Sequence, residues 1–200
     1  MQLNMACTSY GAIVERDMSD NTENIEKKAA MSDYAVIDFE ASSLSSESWP
    51  IEIGLSWLDE GEVRTWSSLI RPSRSWSLDD WSDESAAVHR IPIEIVHAAP
   101  CVDVVAARFF EVLGTRQLVS DAPVFETHWL TRMTEAADQP AKGPVLDFHR
   151  VSFANFSGLA LDLLYETIER KVVPHRAGPD SARLVAGWRR ALAHHEDHLS

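Results

Sequence analysis

Cysteine is nearly absent from this 200-residue sequence. The two cysteines, Cys7 and Cys101, lie far apart, and neither belongs to a CxxC pair. Disulfide frameworks and thiolate zinc sites need several cysteines at short spacings. The sequence therefore excludes a small disulfide-stabilised protein and does not support a zinc-binding one.

Long hydrophobic runs are also missing. No segment approaches the roughly 18 consecutive apolar residues of a membrane-spanning helix, and the N-terminus does not combine a basic region with an apolar one. Hydrophobic residues still make up 45% of the chain, which is enough for one compact domain of this length. We therefore expect a cytoplasmic globular protein with no membrane partner.

Basic side chains are in deficit. Eighteen Lys and Arg residues stand against 31 Asp and Glu residues, so the formal net charge is −13. Proteins that hold nucleic acid through a broad basic surface have the opposite balance. A nucleic-acid substrate would have to be attracted locally, by bound divalent cations and a few arginines.

The first 32 residues are polar and show no sustained periodicity. This composition predicts a disordered leader at 1–32 followed by one domain at 33–200, with an extra helix packed on the domain as the alternative. Met31 directly precedes the first convincing strand and is an alternative native start.

Strand and helix patterns alternate along the remainder of the chain. Strands are predicted at 34–39, 51–58, 63–70, 118–121 and 145–148, with a tight turn at 59–61. Helices are predicted at 85–90, at 102–113 with Gly114 at its end, at 125–137, around an inner face of Leu159, Leu163, Leu164 and Ile168, and after a loop at 174–180. This order predicts an α/β fold with a mixed central sheet of about five strands flanked by helices.

Two acids end the first predicted strand. Asp38 and Glu40 are separated by one residue, and the two-residue period of a strand points them to the same side. Two such carboxylates repel each other unless a cation lies between them, which suits a hard divalent metal ion. Taken alone, such a pair at a strand end is more often two solvated surface acids than a metal site.

A histidine and an aspartate stand in the loop that opens the last helix. His175 and Asp180 are five residues apart. An aspartate at a helix N-terminus is favoured by the helix dipole and can simply be a cap. A loop histidine is often just solvated, so neither residue indicates chemistry by itself.

Together, these motifs resemble the DEDDh 3′-to-5′ exonuclease family, the RNase H-like group that includes polymerase proofreading subunits and oligoribonucleases. Asp38-Phe-Glu40-Ala-Ser-Ser-Leu44 and the following Ile51-Glu-Ile-Gly54 are similar to the family's D-x-E-T-T/S-G-L and I-E-I-G. His175-Arg-Ala-Gly-Pro-Asp180 has the family's H-x-x-x-x-D spacing. The resemblance covers about residues 34–192 and implies an RNase H-like fold.

The middle motif departs from the family pattern. The family places an aspartate before an aromatic-apolar pair on a helix, and Glu126 stands at the matching position after Phe125. Asp121, at the end of the predicted fourth strand, is the alternative third acid. Ala41 also replaces the family's usual threonine.

The resemblance implies a two-metal phosphodiester hydrolase. Two divalent cations, Mg²⁺ or Mn²⁺, would be held by Asp38, Glu40, Glu126 and Asp180, and His175 would act as general base. Leu44 would wedge against the terminal base, in a substrate-binding segment that includes Ser42 and Ser43. An ordinary core leucine is the alternative interpretation of Leu44.

The resemblance also implies the ligands. The expected substrates are 3′ ends of single-stranded DNA or RNA, or short oligonucleotides, and a homodimer is compatible with the sequence. The alternative function is a catalytically degenerate RNase H-like module that binds nucleic acid or a protein partner, which the departures at Glu126 and Ala41 motivate. A third alternative is an α/β domain whose acids are only surface residues.

Several aromatic and histidine side chains are left without a role. Trp76 and Trp81 could stack on bases, but loop tryptophans more often cover the edge of a core. The remaining histidines lack motif support, and we expect them to be structural or, at the C-terminus, part of a frayed tail: His89, His97, His128, His149, His194, His195 and His198.

Overall fold

The computed structural model describes residues 30–140, 143–172 and 174–197. Its five strands form one mixed sheet in the order β3-β2-β1-β4-β5. Strands β1, β2 and β3 are antiparallel neighbours, whereas β4 and β5 run parallel to β1. The strands are β1 (Tyr34–Ala41), β2 (Pro50–Asp59), β3 (Glu62–Leu69), β4 (Gln117–Ser120) and β5 (Leu146–Asp147). The predicted α/β fold with a mixed five-stranded sheet is confirmed.

Seven α-helices flank this sheet within the described residues. They are α1 (Asp83–His89), α2 (Ile93–His97), α3 (Val102–Leu113), α4 (Pro123–Ala136), α5 (Phe148–Asn155), α6 (Gly158–Arg170) and α7 (Ala177–Asp197). None of the described helices is long and apolar enough to cross a membrane.

Local sequence signals set several boundaries. Glu60 and Gly61 both have positive φ, at 50° and 78°, as the tight hairpin turn between β2 and β3 requires. Helix α3 ends before Gly114, whose φ is 58°, because glycine adopts a positive φ without a steric penalty. The predicted turn and the predicted helix end both match the structure.

The sheet is buried on both faces. Ile37 and Phe39 of β1 belong to a hydrophobic core that includes Phe109 and Trp129. Val36, which directly precedes Ile37, belongs to a second core with Phe148 and Trp188. Because successive strand residues point to opposite faces, β1 contributes to both cores, and the two acids at its end extend from a rigid support.

The fifth strand is shorter than predicted. Only Leu146 and Asp147 are extended, because the Asp147 carboxylate accepts a hydrogen bond from the backbone N–H of Arg150 at 2.8 Å and caps a helix that begins at Phe148. That helix, α5, and the short helix α2 were not predicted.

The predicted inner face of α6 is partly wrong. Leu159 is 56% exposed, whereas Ala160 and Leu164 are buried. The helix begins at Gly158, so Leu159 lies in its first turn. Residues at 160, 164 and 168 then form the stripe that faces α7.

The predicted leader falls largely outside the described residues, which begin at residue 30. Met31 starts a 3₁₀ turn, Met31–Asp33, and its side chain is buried in the second core. The side chains of residues 195–200, including His195 and His198, also fall outside the described part.

Candidate active site

Asp38 and Glu40 lie beyond the point where β1 loses its parallel neighbour. The β1–β4 pairing covers Tyr34 to Val36, whereas the pairing with β2 continues through Asp38 and Glu40. The end of β1 is therefore supported on one edge and open at the other. This is where ligands bind in open α/β sheets, outside the carboxyl ends of the parallel strands.

The start of α7 brings a third acid to this position. The Asp180 carboxylate accepts a hydrogen bond from the backbone N–H of Arg176 at 3.0 Å, which fixes the first turn of the helix. One carboxylate oxygen from each of Asp38, Glu40 and Asp180 lies within 4.8 Å of the others. We refer to Asp38, Glu40 and Asp180 as the acidic triad.

The triad is electrostatically strained in the absence of a cation. Burial, followed by the nearby charges of Glu40 and Asp180, raises the pKa of Asp38 well above its ordinary value. Burial and the charges of Glu52 and Asp180 raise the pKa of Glu40 to about 7, although the Arg176 guanidinium opposes this shift. Burial also raises the pKa of Asp180. A bound cation would relieve all three carboxylates.

Glu126 lies in the first turn of α4 and is only 3% exposed. Burial, followed by the charges of Asp38 and Asp121, raises its pKa well above the ordinary value. The Oε2 atom of this carboxylate is buried with no hydrogen-bond partner among the described residues. An unpartnered carboxylate oxygen beside Asp38 fits a metal ligand.

Asp121, the alternative third acid, directly follows β4 and is exposed. Burial is the main cause of the raised pKa values of Asp38 and Glu126, and the negative charge of Asp121 adds to both. Both candidates therefore lie near the triad, with Glu126 enclosed and Asp121 in contact with solvent.

His175 is exposed on the loop before α7. It lies near enough to Asp180 that its positive charge lowers the pKa of that carboxyl, against the larger raising effect of burial. The position gives the imidazole access both to solvent and to the edge of the triad.

An ion pair behind the triad, with a buried glutamate and a partly exposed arginine, was not singled out from the sequence. The Arg176 guanidinium donates two hydrogen bonds to the Glu52 carboxylate, from Nε at 2.8 Å and from Nη2 at 2.6 Å. The backbone N–H of Ala177 donates a third at 3.1 Å. Glu52 lies directly opposite Glu40 in the β1–β2 register. The Glu52 and Arg176 side chains therefore connect the start of α7 to β2, the strand beside the two triad acids of β1.

Glycine at position 54 permits this contact. A Cβ added to Gly54 would lie 2.2 Å from the carbonyl carbon and oxygen of Ala177. The glutamate and glycine of the Ile51-Glu-Ile-Gly54 motif thus have separate physical roles, since one pairs with Arg176 and the other admits the backbone of α7.

The loop after β1 is held by serine hydroxyls. Ser43 and Ser45 each donate a hydrogen bond to the Asp80 carboxylate at 2.7 Å. Ser42 is fully buried, and its hydroxyl accepts the Trp49 backbone N–H at 3.0 Å. We therefore propose that Ser42 shapes the loop, in place of the direct substrate contact that the sequence suggested.

Leu44 projects from this loop and is 73% exposed. The alternative interpretation of Leu44 as a core leucine is thereby excluded. Trp76, by contrast, is buried and stacks on Trp49 with ring centroids 5.9 Å apart. Trp76 covers a core edge and is not available to stack on a base.

A cavity of about 240 Å³ adjoins the triad. Its lining residues come from the end of β1, the loop after β1, α1 and α4, and they are Phe39, Glu40, Ala41, Ser43, Leu44, Ser85, Val88, His89 and Trp129. His89 is a second residue that the sequence did not single out, since an isolated histidine at the end of a short helix carries no motif signal.

Comparison with known proteins identifies the family. A profile of the exonuclease family, of the RNase T type, matches residues 35–186. The chain belongs to this exonuclease family. The family predicted from the DEDDh motifs is thus confirmed, and the protein has a nuclease domain. A comparison with curated protein sequences finds no match.

Solved exonuclease structures share the fold. The nuclease domain of 3′hExo, described as a DEDDh family member bound to rAMP, is 19% identical, with a TM-score of 0.62 over 80% of this chain and 92% of that one. A 3′-exonuclease that recognises the 3′ end of a histone mRNA stem-loop is 20% identical, with a TM-score of 0.62 over 83% of this chain and 84% of that one. Escherichia coli exonuclease I in a complex with single-stranded DNA is 11% identical, with a TM-score of 0.59 over 83% of this chain and 42% of that one. The RNase H-like fold expected from the sequence is confirmed.

The chemistry of the donor set fits divalent cations. The triad supplies carboxylate oxygens only, and hard divalent ions prefer oxygen ligands. The orphaned Oε2 of Glu126 adds a further donor in the same enclosed region. The exonuclease family uses divalent metals, and the acidic cluster for them is present in this chain.

Proposed function

We propose that this protein is a 3′-to-5′ exonuclease that hydrolyses phosphodiester bonds at the 3′ end of single-stranded nucleic acid or short oligonucleotides, using two Mg²⁺ or Mn²⁺ ions. The observation that carries the proposal is the acidic triad, because carboxylate oxygens on three separate side chains lie within 4.8 Å of one another. The solved relatives named for 3′-end recognition, rAMP and single-stranded DNA support the substrate class.

The metal ligands follow from the positions of the acids. Asp38 interacts electrostatically with Glu40, Asp180 and Glu126, so it would contribute to both ions; Glu40 and Asp180 would complete one site, and Glu126 would serve the other. When bound, the cations supply a polarised attacking water and neutralise the charge on the leaving 3′-oxygen.

Protein side chains perform the other tasks. His175, exposed beside Asp180, would accept the proton from the attacking water. The cavity beside Glu40 would hold the terminal nucleoside, with Leu44 at its rim against the base. Ser43 would help to line this subsite.

The binding surface explains how an acidic protein could take an anionic substrate. The formal net charge of −13 would repel a phosphate backbone at a distance. Cations at the triad would reverse the local sign where the scissile phosphate must lie. The Arg176 guanidinium pairs with Glu52, so the carboxylates of the acidic triad would remain available to bind the cations.

The test is degradation of a 5′-labelled single-stranded oligonucleotide, as DNA and as RNA, with and without Mn²⁺. The wild-type chain should give a ladder that shortens from the 3′ end, and Asp38→Ala should abolish it. Glu126→Asp, which restores the family's shorter acid, should cleave faster if Glu126 is the displaced third ligand. A wild-type chain that cleaves neither polymer, with no rescue by Glu126→Asp, would instead favour the degenerate binding module.

A further inference from the structure

A single carboxylate holds both chain neighbours of the exposed Leu44. Asp80 Oδ2 accepts a hydrogen bond from the Ser43 hydroxyl at 2.7 Å, and Asp80 Oδ1 accepts one from the Ser45 hydroxyl at 2.7 Å. The two serines flank Leu44 in the sequence, and Leu44 itself is 73% exposed. The Leu44 side chain therefore projects from a segment that is bound on both sides to one acid of another loop.

The two serine hydroxyls are also fixed within their own loop. The Ser43 hydroxyl accepts the backbone N–H of Ser45 at 3.1 Å, and the Ser45 hydroxyl accepts the backbone N–H of Glu47 at 3.0 Å. Each hydroxyl thus accepts one proton and donates its own to Asp80, which uses both hydrogen-bonding capacities of the group. Hydrogen bonds to an ionised acceptor are roughly twice as strong as neutral ones. The carboxylate of Asp80 is therefore the main connection between these hydroxyls and the rest of the domain.

Asp80 is itself attached to the core. It ends a short 3₁₀ turn. The carbonyl of Ser77, directly before this turn, accepts the indole N–H of the fully buried Trp49 at 2.9 Å. After the turn, the backbone N–H of Ser82 donates a hydrogen bond to the carbonyl of Ser42 at 2.9 Å. The Asp80 carboxylate is thus held on both sides along the chain, so its two oxygens form a rigid support for the loop after β1.

The position of Leu44 matters because it lines the cavity beside Glu40. Leu44 and Ser43 both contribute to this cavity of about 240 Å³, which would hold the terminal nucleoside. A leucine that is mostly exposed makes few packing contacts that could define its position. The backbone that carries Leu44 must define it instead, and the two hydrogen bonds to Asp80 provide that constraint.

We propose that Asp80 is a positioning residue for substrate binding, which holds Leu44 where it contacts the 3′-terminal base. The inference rests on the proposed exonuclease function. A loop that is free to move must be ordered each time a substrate binds, and this entropic cost weakens binding. Ser43 stands where the family pattern D-x-E-T-T/S-G-L has a glycine, which has no hydroxyl to donate. The double link to Asp80 is therefore a feature of this chain and not of the general motif.

Three substitutions separate positioning from other roles. Asp80→Ala removes both acceptor oxygens. Asp80→Asn removes the charge but keeps both links, because the amide oxygen can accept from one hydroxyl and the amide nitrogen can donate to the other. Asp79→Ala is the matched control, since Asp79 is exposed and its carboxylate makes no hydrogen bond within the described part of the chain.

The measurement is kcat and KM for cleavage of a labelled single-stranded oligonucleotide in the presence of Mn²⁺. Asp80→Ala should raise KM about 3- to 10-fold and leave kcat nearly unchanged, because the cost of ordering the loop is the same in the bound ground state and the transition state. Asp80→Asn and Asp79→Ala should stay close to the wild type. An unchanged KM in Asp80→Ala, or an equal rise in Asp80→Asn or Asp79→Ala, would overturn the proposal.

A double-mutant cycle with Leu44→Ala tests whether Asp80 acts through this leucine. Residues that act through one another give non-additive effects, whereas independent residues give additive ones. Once Leu44 has been shortened to alanine, Asp80→Ala should therefore raise KM little further. If Asp80→Ala has its full effect on KM in the Leu44→Ala background, Asp80 acts elsewhere and the proposal fails.

Further readouts separate the possible failures. The acidic triad lies on β1 and α7, so Asp80→Ala should bind Mn²⁺ like the wild type, and a loss of Mn²⁺ binding would contradict a role confined to Leu44. If Asp80→Ala does not fold, the double variant Ser43→Ala/Ser45→Ala removes the same hydrogen bonds from the donor side and should raise KM in the same way. A wild-type chain that cleaves, with KM unchanged in that double variant, would end the Asp80 proposal alone. A wild-type chain that does not cleave would end the proposed function and this inference with it.

Discussion

The Arg176 guanidinium donates two hydrogen bonds to the Glu52 carboxylate, at 2.8 and 2.6 Å, where α7 meets β2. Only 5% of the Glu52 side chain is exposed. The pair lies between Glu40, which faces Glu52 across the strands, and Asp180, which accepts the Arg176 backbone N–H. Two of the three triad acids therefore depend on this contact for their relative position.

Glu52→Gln should weaken both the fold and the site. The substitution removes the negative charge that pairs with Arg176 and replaces one of the two acceptor oxygens with an NH2 donor, and we expect a loss of about 1–3 kcal/mol in the free energy of unfolding. The nuclease rate should fall as well, because the Asp180 turn is no longer fastened to β2. Urea denaturation and oligonucleotide cleavage measure the two effects.

Glu62→Gln is the matched control. Glu62 pairs with Arg189 at 2.9 Å, but both side chains are at least half exposed. Surface ion pairs contribute little, so the unfolding free energy should change by no more than about 0.5 kcal/mol. Equal effects of the two substitutions would contradict the role assigned to Glu52.

Gly54→Ala should be more disruptive than its size suggests. The added methyl group would meet the Ala177 backbone at 2.2 Å and the Gly178 backbone nitrogen at 2.5 Å. Backbone atoms cannot swing aside, so α7 must shift away from β2, at a cost of about 1–3 kcal/mol or more. The shift also displaces Asp180, so metal affinity should fall.

Gly143→Ala provides the comparison for Gly54. A Cβ at Gly143 meets nothing within 4 Å, and the melting temperature should remain close to that of the wild type. Calorimetry and Mn²⁺ titration of both variants check the prediction. A Gly54→Ala protein that melts and binds Mn²⁺ like the wild type would show that the contact between β2 and α7 is dispensable.

The acidic triad predicts a pH-dependent response to metal. The pKa of Glu40 is raised from 4.5 to about 7, so the folded metal-free protein binds more protons than the unfolded chain between these values. The stability from this group is present below about pH 4.5 and is lost as the pH rises through 7. Metal binding requires the ionised form, so cations should stabilise the fold more at higher pH.

Melting curves with and without Mn²⁺ at pH 5.5 and pH 8 test this response. The rise in melting temperature on adding Mn²⁺ should be larger at pH 8, and Asp38→Asn should reduce it at that pH. The same Mn²⁺-induced rise at both values would argue against the triad as the metal-binding group.

The site was predictable where chemistry and backbone geometry coincide in short motifs. Asp38 and Glu40 share one side because they lie two apart on a strand, and His175 and Asp180 follow from their spacing beside a helix start. The hairpin turn through Glu60 and Gly61 was equally predictable, because such a turn needs residues with positive φ and the sequence places a glycine there. These signals are local, and a single sequence carries them in full.

Other parts depended on tertiary contacts that no local pattern reports. Glu52 is an ordinary strand residue until Arg176 reaches it from 124 positions away. The His89 ring accepts the Ile91 backbone N–H only because the left-handed conformation of Arg90 turns the chain back toward it. Asp147 ends β5 early by capping α5, a competition between strand and helix that a two-residue segment cannot reveal in the sequence.

Substitution of Glu126 distinguishes a structural acid from a metal-binding one, because the two roles predict different effects on melting temperature and on cleavage. Burial and the nearby charges of Asp38 and Asp121 raise its pKa, which favours the neutral carboxyl when no cation is present. Glutamine has nearly the same size and is neutral. Glu126→Gln should therefore melt at the same temperature as the wild type, or higher, in the absence of metal, because glutamine resembles the neutral carboxyl and carries no cost of burying a charge.

The same substitution should nonetheless impair cleavage. If Glu126 binds a cation, its loss should lower the rate by about 100-fold and reduce the number of Mn²⁺ ions bound, although the fold is unharmed. Asp121→Asn tests the exposed alternative: it should retain most activity if Glu126 is the ligand. Full activity in Glu126→Gln together with inactivity in Asp121→Asn would assign the third acid to Asp121. Both acids lie near Asp38, but only the residue that binds the cation needs its negative charge for cleavage.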